Sequence, residues 1–129
     1  MLPGFMAEDS VRREDGASPA LDITGAQGSM LLITLGITRI VEQESLDVSI
    51  FGSADGTEWG NAPLVSFPQK FYCGTYSILL DLEGKPEVKY LRAQWKMNRW
   101  GRGEPKALFS FYLFAEKAAV TVTAAKSAS

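Results

Sequence analysis

The sequence predicts an all-β fold, an antiparallel two-sheet β-sandwich of jelly-roll-like form with an extension at each end. Three observations carry this expectation. From Ala20 to Phe114 short apolar runs recur between clusters of turn residues, the pattern of many short strands. Nowhere in that span do apolar residues return at helical spacing over ten or more positions, which removes the helical classes. At 129 residues the chain is long enough to bury one continuous core and too short for two of ordinary size.

Taken in order, residues 1–19 mix Pro, Gly and charge and read as an N-terminal extension. A sandwich domain over 20–114 then opens with "ALDI" (20–23). "MLLITLGI" (30–37) is apolar on both faces. In "LDVSIFGS" (46–53), Leu46, Val48 and Ile50 alternate with Asp47, Ser49 and Ser53, so one face is buried and the other wet, with Phe51 breaking the polar face. "PLVSF" (63–67) and "TYSILLDL" (75–82) follow. "YLRAQWKM" (90–97) sets Leu91, Ala93, Trp95 and Met97 against Tyr90, Arg92, Gln94 and Lys96. "LFSFYLF" (108–114) is again apolar on both sides. Strands of that kind belong to the middle of a sheet covered on one side and contacted by something else on the other, a partner chain being one candidate. After these seven strands, residues 115–129 are small and weakly polar, a C-terminal tail. Both ends are expected to fray alone and to order on neighbouring chains. Deleting 1–18 or 116–129 should then prevent assembly while leaving the melting temperature of the isolated domain nearly unchanged.

Composition narrows the chemistry. No histidine occurs, which removes the usual general base, the usual zinc ligand and the Ser-His or Cys-His nucleophile pair. The single cysteine, Cys73, excludes an internal disulfide and multi-cysteine metal sites, and its apolar setting reads as a small core or semi-buried residue. No nucleotide-binding or serine-hydrolase motif is present. A carboxylate-pair mechanism stays open with 15 acidic residues, though no pair can be singled out. The expectation is therefore no enzyme and no cofactor. The longest apolar run falls far short of the roughly 20 residues of a transmembrane helix. Pro3 and Gly4 stand where a signal peptide needs a basic head and an apolar stretch, so a virion or cytoplasmic location is expected. "QKFYCGTY" gathers Phe71, Tyr72 and Tyr76 around Gly74, a corner of the core or the lining of a pocket.

"SADGTEWG" (53–60) follows the alternating run directly. Asp55-Gly56 is a turn signal, since glycine accepts positive φ and aspartate hydrogen-bonds to the backbone ahead of it. Ser53, Asp55 and Gly56 are read as a structural turn that lets Trp59 close the end of the sandwich; two carboxylates are too few for a calcium loop. Ser53, Asp55, Gly56 and Trp59, with the later "YLRAQW" strand, give the span 46–114 a pattern that resembles discoidin-like and galactose-binding-like β-sandwiches. It is also similar to small structural proteins of tailed phages. The resemblance implies a sandwich whose work is binding or assembly. It carries over no ligand loop, because no position matches one, and the cysteine pair common in discoidin domains is absent.

"KYLRAQWKMNRWGRGEPK" (89–106) holds six cations against one acid, +5 in a chain of net charge −2, which leaves −7 for the remainder. Arg92 and Lys96 share the outward face of a strand; Arg99, Trp100 and Arg102 belong to the Gly-rich turn after it. This strip reads as a subunit contact, a solvated face, a nucleic-acid groove or a sugar platform. The acidic balance of the whole argues against nucleic acid. The expected function is a non-enzymatic structural subunit of a large protein assembly, with a phage-like virion the leading case and an accessory subunit of another bacterial complex beside it. The alternative is a carbohydrate- or small-ligand-binding module built on Arg99, Trp100 and Arg102.

Overall fold

The computed structural model describes residues 2–40, 44–99 and 108–118. Among them are nine strands and no helix: β1 (Gly4–Arg12), β2 (Gly16–Ala17), β3 (Leu21–Asp22), β4 (Met30–Ile40), β5 (Glu44–Ser53), β6 (Val65–Ser66), β7 (Gly74–Asp81), β8 (Tyr90–Arg99) and β9 (Phe109–Lys117). All seven expected strands are present, and two more precede them, β1 of nine residues and β2 of two.

The strands form two antiparallel sheets, ordered β1-β9-β4-β7 and β2-β8-β5-β6, with β3 also on β8. The pairings β1 with β9, β2 and β3 with β8, β4 with β7, and β5 with β6 are those of one long hairpin. Rolling that hairpin up adds β4 with β9 and β5 with β8, which is the jelly roll. Pro19 explains why its second strand comes in two pieces. Proline has no N–H for the ladder, and Ser18 beside it takes over: its hydroxyl accepts the Ala93 N–H at 2.9 Å while its own N–H reaches the Ala93 carbonyl.

Between the sheets lies a core that follows the alternation. Leu31, Ile33 and Leu35 of β4 and Phe109, Phe111, Leu113 and Ala115 of β9 face Leu46, Val48 and Ile50 of β5 and Leu91 and Ala93 of β8, all buried. Trp95 bridges the sheets edge-on to Phe111 at 5.2 Å. Its indole donates to the Glu14 carbonyl, and its ring lies about 3.1 Å from where a Cβ on Gly16 would stand.

The expected N-terminal extension is part of the sandwich. β1 is an edge strand whose Met6 and Ala7 are buried in the core. Its register slips twice between Phe5 and Ser10, and the Arg12 guanidinium holds the irregular stretch by donating to the carbonyls of Glu8, Ser10 and Phe111. β9 likewise runs past Phe114 to Lys117; residues 119–129 of the expected C-terminal tail lie outside the described residues.

Candidate functional site

The turn after β5 is built as expected. The Ser53 hydroxyl accepts the N–H groups of Asp55 and Gly56 and donates to Asp55 Oδ1, which in turn accepts those of Thr57 and Glu58. Gly56 has φ +84°, left-handed backbone that suits glycine. Backbone hydrogen bonds from Glu58 and then Thr57, with the Ser53 hydroxyl, hold the Asp55 carboxyl well below the usual carboxylate range. Its Oδ1 is engaged three times by the chain itself, as a turn-forming residue requires.

Trp59 does not plug the core. It is half-buried and stacks on the Arg92 guanidinium, 4.7 Å from ring centroid to Cζ, on the outer face of the five-stranded sheet. Thus the turn and the basic strip, separate in sequence, meet. Arg92 Nε is buried without a hydrogen-bond partner, as expected where an aromatic face covers a guanidinium. Phe51, opposite Arg92 in the ladder, is buried on the same face. Lys96 stands exposed opposite Asp47. Arg99 ends β8 in register with Glu44, and its side chain, Trp100 and Arg102 lie outside the described residues. Cys73 is exposed rather than semi-buried, as are Phe71 and Tyr72. Only Tyr76 of that cluster packs on the core, and its hydroxyl donates to the carbonyls of Tyr72 and Cys73. Among the described residues no group of three His, Cys, Asp or Glu could hold a metal ion.

The outer face of the four-stranded sheet holds a groove of about 620 Å³, within the range of ligand sites. Cross-strand register aligns Phe5 of β1, Phe114 of β9, Thr34 of β4 and Ser77 of β7 in one row. Phe5 is 52% exposed and packs edge-to-face on Phe114 at 5.0 Å and on Tyr112 at 6.1 Å, with interplanar angles of 69° and 81°. Tyr112 covers Gly36, where an added Cβ would come within 2.2 to 2.6 Å of its ring and hydroxyl. The rim carries Glu8, Asp9 and Glu116.

Neither models of protein families nor curated proteins match this sequence. The site therefore stands on its own chemistry. Sequence reasoning anticipated half of it: "LFSFYLF" reads apolar on both faces, and its outward residues are Tyr112 and Phe114. Phe5 and the carboxylates of β1 gave no signal, because an edge strand with slipped register has no clean alternation.

Proposed function

We propose that this chain is a non-enzymatic structural subunit that docks other protein chains on the outer face of its four-stranded sheet. The observation that carries the reading is the apolar character of that face. Phe5 is 52% and Leu79 49% exposed, and Phe114 and Leu32 lie between them on adjoining rows. Exposed apolar side chains grouped on one face mark interaction sites, and interface centres are enriched in aromatic residues.

The narrower form, a subunit of a phage-like virion, rests on the sequence resemblance. An accessory subunit of another bacterial complex would use the same face. Jelly rolls build capsid and lectin domains alike, an analogy of fold and not of function. The carbohydrate reading centred on Arg99, Trp100 and Arg102 draws no support from a described side chain.

The test is the mass of the native particle, by light scattering or mass photometry on material from the source. The chain is expected to co-migrate with a complex far larger than its own 14.1 kDa. Leu79→Lys should keep the far-UV circular dichroism and melting temperature of the parent and be left out of that complex. A free monomer in the native extract, or normal incorporation of Leu79→Lys, overturns the proposal.

A further inference from the structure

We infer that the groove over Phe5, Tyr112 and Phe114 receives a basic side chain, an arginine foremost, from the protein partner. This rests on the docking reading of the same face and adds the chemistry of the partner. Three observations converge. Phe5 packs against Tyr112 and Phe114 at interplanar angles of 81° and 69°, and Tyr112 lies over Gly36. Rings at these angles are not coplanar, so together they do not make one continuous flat platform of the kind that suits a sugar ring. A cation gains from ring faces turned toward it from different directions, because each face carries negative quadrupolar charge.

The second observation is the rim. Glu8 and Glu116 make no side-chain hydrogen bond or ion pair among the described residues, and no lysine or arginine lines the groove. Asp9 is already engaged, accepting from the Thr38 hydroxyl at 3.0 Å and lying within electrostatic reach of Arg12. Two such carboxylates lining the same groove as the aromatic rings favour positive charge. The third is shape. The groove is an open trough on a sheet face, suited to an extended segment laid across it with one long side chain turned inward, the aliphatic stem on the rings and the guanidinium between the carboxylates.

The experiment is an amide-resolved NMR titration of the full chain with two short blocked peptides, Gly-Arg-Gly and Gly-citrulline-Gly. Citrulline keeps the shape of arginine and lacks its charge. Shifts are expected to cluster on β1, β4 and β9 around Phe5, Gly36 and Phe114, with the citrulline peptide about five-fold weaker. The double variant Glu8→Gln, Glu116→Gln should lower arginine-peptide affinity about five- to ten-fold and leave the citrulline peptide almost unmoved. In about 1 M salt, where the Debye length is about 3 Å, the difference between the peptides should shrink.

Equal binding of the two peptides at this groove sinks the cationic partner while leaving the docking face intact. Shifts located elsewhere, or saturation of the groove by neutral oligosaccharides that arginine peptides do not displace, also overturn it. So does self-association of the chain that Phe5→Ala removes and the Glu8, Glu116 double variant does not, since a second copy would then be the occupant. Failure of the docking reading itself is seen separately, in the native particle mass.

Discussion

Ser53 is 4% exposed, and its hydroxyl serves three hydrogen bonds at the turn that closes β5. Ser53→Ala leaves two backbone N–H groups short of an acceptor and is expected to cost about 1 to 2 kcal/mol in urea denaturation. Asp55 adds a pH dependence of definite sign. The fold favours its charged form, so the carboxyl titrates below its unfolded value of 3.8. Its stabilisation is present above that value and is lost as pH falls further. In acid denaturation the parent should lose stability more steeply below about pH 4 than Asp55→Ala, whose curve lacks this contribution. Gly36 shows the same dependence on a single group, here through space. Gly36→Ala drives a methyl into the Tyr112 ring and should cost about 1 to 3 kcal/mol. In a double-mutant cycle, adding Tyr112→Ala should recover part of that loss, and strict additivity would show that the ring does not sit over the glycine.

β1 changes what a truncation means. Read as a loose extension, residues 1–18 could be removed with little effect on melting. As the strand that covers the edge of β9 and buries Met6 and Ala7, β1 makes the same deletion destructive. It uncovers a row of unpaired backbone groups and leaves a cavity where Met6 was. Thermal unfolding of the 1–12 deletion should show a loss above about 3 kcal/mol or no cooperative transition. An unchanged melting temperature would mean that β1 contributes nothing to the fold. Short strands matter similarly: β2 and β3 are two residues each, yet Ser18 and the Asp15 carboxylate, which accepts the Met97 N–H at 2.7 Å, tie that edge to β8.

At the scale of the whole molecule, the two outer faces have different chemistry. On the five-stranded sheet, Arg92 is stacked on Trp59, Lys96 faces Asp47 across the ladder, and Ser49 bonds to Ser66 at 2.8 Å. Several polar groups there are engaged within the chain, although Arg92 Nε has no hydrogen-bond partner among the described residues. The four-stranded sheet instead exposes Phe5, Leu79 and a groove rimmed by Glu8, Asp9 and Glu116, of which Asp9 is bonded to Thr38. That asymmetry is the basis of the docking proposal for the four-stranded sheet; of the basic strip that the sequence favoured, Trp100, Arg102 and the Arg99 side chain lie outside the described residues.

Alternation in "LDVSIFGS" and "YLRAQWKM", and the Ser-Asp-Gly turn between strands, were legible in the sequence because each depends on residues within a few positions of one another. So was the two-faced apolarity of "LFSFYLF", whose outward residues are the half-buried Tyr112 and Phe114. The strand character of residues 4–12 was not legible, since it arises from pairing with β9 at the far end of the chain and from the Arg12 hydrogen bonds that hold its slipped register. Nor was the meeting of Trp59 with Arg92, or of Phe5 with Phe114 and Tyr112, each across many intervening residues. By itself the sequence determined the class of fold, its local turns and the inward faces of its strands, because period and propensity act locally. The rolling of the hairpin, and with it the composition of each outer face, was decided only by tertiary structure, because it depends on which distant strands share a ladder.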